Sequence, residues 1–392
     1  MSKGNRVFSA TDDESRAFRA DAAPSLLEQE IPLQPAVLRR ASGSFARPVA
    51  ELIDVLSERE VDDWVVTGCG DSLFAGMCAE VWFARLAGRR LRAVQAMQLS
   101  RETYESLTPR SVVLAVSHSG TTARVLEAAR AARSRGAFLV AVTANPESEL
   151  ARCADLWIDN SVRGERSNCR TASFQAVSLL MRMLAEQLGT RAGRRARSFE
   201  PALLEPYIDD SRRQIASIDD VNLTSDHWIF TGSGLGLAAA EYGMAKVYEA
   251  ASLPAHSVEL EQFIHCEIFT VREGTNVVII CPAGRTISRA VELTRGLSAL
   301  GAVTIAITDD VQLAEAATHA VRLPEGLHED DLPFVAILPL QWLALRLARA
   351  RDEDPDLVAN KWVNRPLIDD SEQWGPEMYD VNAVSLSPQV PE

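Results

Sequence analysis

Apolar and polar positions along the chain alternate in a strand–turn–helix order. Five consecutive apolar residues, Val112 to Val116, predict a buried strand, and Ala123 to Arg135, rich in strong helix formers, predicts a helix. The turn between them, SHSGTT from Ser117 to Thr122, offers backbone N–H groups together with four hydroxyl side chains. That combination at the start of a helix suits a phosphate group.

The same order of elements occurs twice in the chain. WVVTGCGDSLF begins at Trp64 and WIFTGSGLGLA begins at Trp228, which aligns Gly68 with Gly232 at an offset of 164 residues (232 minus 68). The same offset places CPAGRT, which begins at Cys281, opposite SHSGTT. Two separated motifs that agree on one offset indicate an internal duplication, with a front copy and a rear copy.

Each copy predicts strand, glycine turn, helix, strand, helix and strand. This alternation is typical of an α/β fold, and we expect two tandem domains, each a doubly wound parallel sheet flanked by helices. The predicted segments are an N-terminal segment at 1–44, the first domain at 45–190, a linker and helix at 191–219, the second domain at 220–350, and a C-terminal tail at 351–392. Pro32 and Pro35 are expected to break an amphipathic segment, and the tail is expected to be extended.

Composition narrows the function classes. The formal net charge of −14 argues against nucleic acid and anionic membranes as partners. The polar N-terminus carries no secretory signal and the longest apolar stretch is short for a membrane span, so we expect a cytoplasmic protein without a membrane partner. The six cysteines form no CxxC pair, which argues against a zinc site or a disulfide framework. We expect no metal and no other cofactor.

Candidate binding residues lie where the predicted strands end. Ligands of open parallel sheets bind beyond the carboxyl ends of the strands, and two turns of the front copy, GCGDS and SHSGTT, lie there. The candidate anion-binding residues are Cys69, Gly70, Ser72, Ser117, His118, Ser119 and Thr122. Two alternatives remain: the serines merely cap helices, or GCG belongs to a nicotinamide site, although the third glycine of that fingerprint is missing.

The rear copy lacks these polar groups. At the matching positions it carries Cys281, Pro282 and Ala283 in place of the Ser-His-Ser of SHSGTT, and Gly236 in place of Ser72. We therefore predict that the front copy binds the anion, while the rear copy and the tail supply acid–base groups.

Lysine usage indicates which acid–base groups these are. The chain has three lysines among 40 basic residues, and Lys246 and Lys361 are the two internal ones. A lysine kept in so arginine-rich a chain is a candidate for losing its proton or forming a Schiff base, which arginine cannot do. Lys246 and Glu249 share one helix face, although a solvated ion pair would give the same spacing. His256 and His265 follow, but no third ligand at a recognised spacing supports a metal there.

These motifs resemble the sugar isomerase (SIS) domain family, in particular its tandem-domain members: the isomerase half of glutamine–fructose-6-phosphate aminotransferase and the stand-alone amino-sugar phosphate isomerases and deaminases. GCGDS resembles the family's GCGTS, SHSGTT its SQSGET, KVYE its KLKE, EQFIH its GELKH, and LVANKWV its NLAKSV. The resemblance implies that Ser72 and SHSGTT hold a sugar phosphate and that Glu249 moves a proton between C1 and C2. It also implies that His265 assists ring opening, often from a partner subunit, that Lys361 closes over the sugar, and that Lys246 lies near the reacting carbons.

A further stretch, GERSNCRT, resembles the family's GTEIGVAST and implies that Glu165, with Asn168 in the same segment, lies beside the sugar. The sequence also departs from the family pattern. Asp71 replaces a threonine and would repel a phosphate if it pointed inward, Arg170 replaces a serine, and Cys266 follows His265 where the family has glycine. The departures leave the identity of the sugar open.

The resemblance implies an enzyme that acts on a phosphorylated sugar. No glutaminase-like segment with an N-terminal cysteine nucleophile precedes the resemblance in this sequence, so the main expectation is an amino-sugar phosphate isomerase/deaminase that turns a hexosamine-6-phosphate-like substrate into a ketose phosphate and ammonia. Alternatives of the same class are a plain aldose–ketose isomerase and a fructosamine-phosphate deglycase. An alternative of another class is a non-catalytic sugar-phosphate-binding regulator. Since the family packs as dimers, a homodimer with sites near the subunit interface is expected.

Overall fold

The structure, a computed structural model, describes residues 23–195, 197–357 and 361–369, together with Ser371, Gln373 and Tyr379; of the side chains at 361–364 nothing is described. Ten strands lie in this part of the chain: β1 Asp63–Gly68, β2 Leu91–Gln95, β3 Ser111–Val116, β4 Phe138–Val142, β5 Leu156–Ile158, β6 Trp228–Gly232, β7 Ala255–Glu259, β8 Asn276–Ile280, β9 Val303–Thr308 and β10 His319–Arg322.

The same part of the chain contains thirteen α-helices: α1 Leu26–Glu30, α2 Gln34–Ser57, α3 Asp71–Trp82, α4 Ala123–Ser134, α5 Glu149–Cys153, α6 Ala172–Arg191, α7 Leu204–Ala216, α8 Leu235–Ala251, α9 Leu260–His265, α10 Ile287–Ala299, α11 Val311–Ala316, α12 Leu332–Ala350 and α13 Lys361–Asp369.

The strands form two parallel sheets with the same topology. The front sheet has the order β2-β1-β3-β4-β5, and the rear sheet has the equivalent order β7-β6-β8-β9-β10. Even the register repeats: Trp64 lies opposite Leu91 and Val112, and Trp228 lies opposite Ala255 and Asn276, which are the same positions shifted by 164 residues (228 minus 64). The predicted α/β fold with two tandem parallel-sheet units is confirmed, and the duplication holds residue by residue in the central strands.

One apolar core joins the two sheets. Helices α2, α3 and α6 of the front copy and α8 and α12 of the rear copy contribute to a single continuous cluster of buried apolar side chains. Trp82 on α3 stacks on Phe334 on α12, with ring centroids 5.6 Å apart. The shared core fixes the ends of α3 and α8 against the opposite copy, and this arrangement positions the site described below.

A buried chain of polar groups crosses the same core. The Gln34 amide donates to the Gln341 side-chain oxygen over 2.7 Å, and the Gln341 amide donates to the Tyr242 hydroxyl over 2.8 Å. The Tyr242 hydroxyl in turn donates to the backbone carbonyl of Arg170 over 2.9 Å. Because buried polar groups must be paired, this chain fixes the relative positions of α2, α12, α8 and the loop before α6.

Helix α12 is long and strongly apolar. By length and composition the stretch Glu329–Ala350 could cross a membrane, but 94% of its apolar window is buried inside the protein. This is the position of a core helix.

Two local expectations hold only in part. Helix α1 ends at Glu30, and the short 3-10 turn Ile31–Leu33, which contains Pro32, separates it from α2, so the segment is broken at Pro32. Pro35 breaks nothing, because it lies in the first turn of α2, where a proline is well tolerated. The tail is not extended throughout, because Lys361–Asp369 is helical. The division into domains at 45–190 and 220–350 remains a proposal, since α2 runs through residue 45 and the core is shared.

Gly236 in the first turn of α8 allows the helix to approach strand β8. A Cβ atom there would lie 2.5 Å from the backbone oxygen of Ile280, which cannot rotate away. We predict that Gly236→Ala lowers the free energy of unfolding by about 1–3 kcal/mol, as overpacked sites do. Urea denaturation measures this change. Gly296 on α10 is the matched control, because nothing lies within 4 Å of a Cβ there, and Gly296→Ala should stabilise by up to about 1 kcal/mol through helix propensity. Equal midpoints for the two variants would contradict the packing argument.

Candidate active site

Two turns of the front copy meet at the carboxyl edge of its sheet. Helix α3 starts after Gly70, whose φ of 54° and ψ of −131° are strained for any residue with a side chain. Gly68 allows the close approach of the two turns, because a Cβ there would lie 2.6 Å from the Ser72 Cβ and 3.1 Å from the Val116 oxygen. The GCGDS turn, with half-buried Cys69, is thereby packed against the end of β3, where SHSGTT begins.

Hydroxyl groups shape the SHSGTT turn from within. The Ser117 and Thr122 hydroxyls lie 2.9 Å apart, and the Ser117 hydroxyl also accepts the N–H of Gly120 over 3.1 Å. Ser119 accepts the N–H of Thr121 over 3.2 Å. Thr122 precedes α4 but makes no side-chain cap, so capping alone does not account for these hydroxyls. In the described part of the chain the N–H groups of His118 and Ser119 have no acceptor, and two neighbouring backbone donors at a helix start favour an anion.

The equivalent turn of the rear copy is filled by its own side chains. The Asp309 carboxylate accepts the N–H of Ala283 over 2.7 Å. The Glu329 carboxylate lies against Gly284, in the space that a Cβ would occupy, and pairs with Arg85 over 2.9 Å. The rear turn therefore already holds carboxylates where the front turn is open to an external anion. This arrangement supports the predicted division of roles between the two copies.

An ion triad joins the two copies next to the front turns. The Lys246 ammonium on α8 lies 2.9 Å from Asp71 Oδ2 at the start of α3 and 2.6 Å from Glu249 Oε2 one helical turn further along α8. The Lys246 side chain is fully buried, whereas Asp71 and Glu249 retain 19% and 33% exposure. The ammonium also lies 4.9 Å from the centre of the Tyr242 ring. The triad brings two predicted residues, Lys246 and Glu249, to the edge of the anion-binding turns.

The protonation of the triad follows from burial and charge. Burial alone would lower the pKa of Lys246, but Asp71 and Glu249 outweigh it and hold that pKa well above its ordinary value. Lys246 is thus kept as an ammonium, and the unprotonated amine that a Schiff base needs is disfavoured. Burial raises the pKa of Glu249 to about 7 and also raises the pKa of Asp71, against the lowering effect of Lys246. A carboxylate with a pKa near neutrality is suited to act as a general base.

Glu165 and Arg170 belong to the same electrostatic site. The Glu165 carboxylate is 2% exposed, accepts the N–H of Thr171 over 2.9 Å and of Ser173 over 3.2 Å, and pairs with Arg170 over 3.3 Å. Burial alone would raise the pKa of Glu165, but these hydrogen bonds and the Arg170 charge hold it below its ordinary value. Burial and the charge of Arg170 together lower the pKa of His118 in the SHSGTT turn. Glu165 therefore stays ionised beside a neutral His118.

Two predicted site residues are not brought to the triad, and the side chain of a third is not described. His265 is 68% exposed and pairs with Glu261 on its own helix over 3.3 Å. The Asn168 amide donates to the backbone oxygen of Asp356 over 3.2 Å, so it anchors the start of the tail. Lys361 begins α13, but its side chain lies outside the described residues.

The end of α13 reaches the anion-binding turn. The Thr121 hydroxyl donates to the Asp369 carboxylate over 3.3 Å, and Arg124 on α4 donates to the Ser371 hydroxyl over 2.9 Å. The ion pair between Asp71 and Lys246 is the feature that sequence reasoning missed. From the sequence alone Asp71 is expected only to repel a phosphate; its pairing with Lys246 follows from the burial of that lysine, which the fold produces.

No group of three or more His, Cys, Asp and Glu side chains is arranged to hold a metal ion within the described ranges. The expectations of no metal and no cofactor stay predictions.

Comparison with known proteins agrees with the repeat and with the motifs. A family model for the SIS domain matches residues 59–187 and 223–351. The glutamine–fructose-6-phosphate aminotransferase (isomerizing) of Pyrococcus horikoshii is 26% identical over 341 residues, which are 85% of this chain and 56% of the relative. The chain thus spans a little over half the length of the curated relatives it matches.

Two solved structures share the fold. Glucosamine-6-phosphate deaminase from Thermotoga maritima has a TM-score of 0.70 at 23% identity, over 86% of this chain and 98% of that protein. Tagatose-6-phosphate ketose/aldose isomerase from Escherichia coli has a TM-score of 0.70 at 20% identity, over 86% of this chain and 96% of that protein.

Lys246 stabilises the fold as well as the site. We predict that Lys246→Met lowers the free energy of unfolding by about 3–5 kcal/mol, because two partly buried carboxylates are left without their cation. Urea denaturation at neutral pH measures the loss. Adding Asp71→Asn and Glu249→Gln should restore most of it, since no uncompensated charge then remains. The control is Arg191→Met, which removes an exposed ion pair with Asp54 and should cost less than about 1 kcal/mol. A loss no larger than in the control would contradict the predicted role of the triad.

Proposed function

The chain belongs to the SIS domain family, and from that premise we propose that it is an amino-sugar phosphate isomerase/deaminase acting on a hexosamine-6-phosphate-like substrate. The observation that carries the proposal is the position of Glu249. Glu249, with a pKa of about 7, lies on α8 of the rear copy and shares the Lys246 ammonium with Asp71. Asp71 belongs to the GCGDS turn of the front copy, which suits a phosphate. Base and anion cradle together are what proton transfer on a sugar phosphate requires.

The phosphate would bind to the SHSGTT and GCGDS turns. The N–H groups of His118 and Ser119 and the positive ends of α3 and α4 would face it, while the Ser117–Thr122 contact holds the turn in shape. The binding energy of the phosphate group then positions the reacting carbons, although the phosphate takes no part in the bond changes.

The chemistry would proceed through the carbons next to the amine. Once the sugar ring is open, Glu249 removes the proton from C2, and the C2–H electrons form the C1–C2 double bond of an enolamine while the aldehyde oxygen takes up a proton. Return of a proton to C1 gives the C2 ketimine. Water adds at C2, the nitrogen leaves as ammonia, and the ketose phosphate remains. The ammonium of Lys246, 2.6 Å from Glu249, would orient the base and offset the negative charge that builds up during proton removal.

Two further roles are proposed from the resemblance. His265 is exposed on its own chain, so ring opening by this residue requires that a second copy bring it to the site. Phe269, which is 75% exposed and lies four residues further on, offers apolar surface for such a homodimer contact. Lys361 would close the site from the tail, whose helix α13 ends at the SHSGTT turn.

A plain ketose–aldose isomerase is the second candidate of the same class. The Escherichia coli structure named for tagatose 6-phosphate shares the fold as well as the deaminase does. Both reactions use the same base, and they differ in whether nitrogen leaves the substrate.

An ammonia-release assay distinguishes these two reactions. We predict that the protein releases ammonia and ketose phosphate in equimolar amounts from glucosamine 6-phosphate, because hydrolysis of the ketimine produces both. Coupled enzymatic assays for ammonia and for fructose 6-phosphate measure the two products. Unphosphorylated glucosamine is the control substrate and should not turn over, since the phosphate supplies the positioning energy. Isomerisation of sugar phosphates without ammonia would establish the isomerase instead.

Glu249→Gln tests whether the chain is an enzyme or a sugar-phosphate-binding regulator. We predict a fall in kcat by a factor of about 10²–10⁴ with binding of glucitol 6-phosphate unchanged, because the amide cannot accept the proton. In the wild type, kcat/KM should rise as the pH increases through about 7, since Glu249 must lose its proton to act as base, and the variant should lack this rise. Glu292→Gln, at an exposed side chain on α10, is the control and should behave as wild type. Full activity in Glu249→Gln would exclude this residue as the base.

A further inference from the structure

One buried oxygen of the ion triad has no donor in the part of the chain that the structure describes. Asp71 Oδ2 accepts the Lys246 ammonium, whereas Asp71 Oδ1 is buried and has no hydrogen-bond partner among the described residues. An unpaired acceptor on a buried carboxylate costs stability, and native proteins keep such groups where function calls for them. The resemblance implies a threonine at position 71. The second carboxylate oxygen of Asp71 therefore belongs to this chain and not to the motif.

Three donor residues that interact electrostatically with Asp71 have hydrogen-bond partners of their own. Lys246 donates to Asp71 Oδ2 and to Glu249, and its side chain is fully enclosed. The Arg170 guanidinium pairs with Glu165, and the Tyr242 hydroxyl donates to the Arg170 carbonyl. A donor from a bound ligand would satisfy Asp71 Oδ1.

Charge indicates what kind of donor fits. The site contains three carboxylates, Asp71, Glu165 and Glu249, against the two cations Lys246 and Arg170, so it carries one excess negative charge when all five groups are ionised. A hydroxyl group would supply a hydrogen bond alone. A protonated amine supplies the hydrogen bond and the missing positive charge, and charge-assisted hydrogen bonds are roughly twice as strong as neutral ones.

The position of Asp71 relative to the base indicates which amine it would contact. Asp71 and Glu249 bind the same ammonium, so they lie within two hydrogen-bond lengths of each other. The Glu249 and Asp71 side chains remain partly accessible, although Asp71 Oδ1 itself is enclosed, while Lys246 between them is fully enclosed. A ligand group that contacts Asp71 is therefore close to the carbon whose proton Glu249 removes.

We propose that Asp71 is a specificity-determining residue that binds the protonated amine next to the reacting carbon and selects amino-sugar phosphates over their hydroxyl analogues. This assignment rests on the proposed function and names the substrate class of that site. It also resolves the repulsion expected from the sequence, because the Asp71 carboxylate is directed to Lys246. Against sugar phosphates without nitrogen, the same residue acts through its charge, because a hydroxyl group supplies a hydrogen bond but leaves the excess negative charge of the site uncompensated.

Binding of two unreactive polyol phosphates tests the assignment. 2-Amino-2-deoxyglucitol 6-phosphate and glucitol 6-phosphate differ only in the group at C2, and neither has a carbonyl that could react. By isothermal titration calorimetry at neutral pH, the wild type should bind the amino compound more tightly. Asp71→Asn should weaken binding of the amino compound by a factor of about 10–100 and leave the hydroxyl compound nearly unchanged, because only the charge-assisted bond is lost.

Controls separate this role from a structural one. Asp71→Thr is the second variant and should show the same loss of preference, while Asp62→Asn, an exposed acid-to-amide change at the opposite edge of the sheet, should leave the preference intact. An unchanged ratio of the two affinities in both Asp71 variants, or an equal loss for both ligands, would overturn the assignment and leave the proposed function standing. Failure of the wild type to bind either polyol phosphate would overturn the proposed function and the assignment with it.

Discussion

The buried ammonium of Lys246 is the constraint on which the site depends. A fully enclosed cation is tolerated only if carboxylates surround it, and here one comes from each copy of the duplicated fold. The start of α3 and the fourth turn of α8 must therefore stay in contact. That contact places Glu249, the proposed base, beside the GCGDS turn. Fold stability and site geometry thus depend on the same ion triad.

The duplication explains how one arrangement came to serve two purposes. Shifted by 164 residues (246 minus 82), Lys246 corresponds to Trp82, and Glu249 corresponds to Arg85. These residues approach the rear turn in the way that the triad approaches the front turn: the Trp82 indole donates to the Asp330 backbone oxygen over 3.0 Å, and Arg85 pairs with Glu329. In the rear copy the Glu329 carboxylate occupies the CPAGRT turn, which is therefore closed to an external anion. In the front copy the base faces a turn whose backbone donors are unpaired.

The fold could be predicted from the sequence because it depends on local pattern, and the same pattern predicts a division of roles between the two copies. The shared offset of Gly68 and Gly232, and the loss of hydroxyls at Cys281 to Ala283, can be read without knowing any tertiary contact. The partners of Lys246 could not be read in the same way, because Asp71 is 175 residues away and only the shared core brings it near. Likewise, the position of Pro35 in a first helical turn depends on where α2 begins, which the pattern of apolar residues does not determine.

The charge of the site gives the unusual Asp71 a physical explanation. With threonine at position 71, Lys246 and Glu249 would form a simple pair, and a carboxylate paired with an ammonium ordinarily has a lowered pKa. With Asp71 present, two carboxylates share one ammonium, and burial together with the negative charge of Asp71 raises the pKa of Glu249 to about 7. A substrate amine that neutralised Asp71 would shift the balance again and make Glu249 easier to ionise when the substrate is bound. The group that recognises the amine would thereby prepare the base for the proton it has to remove.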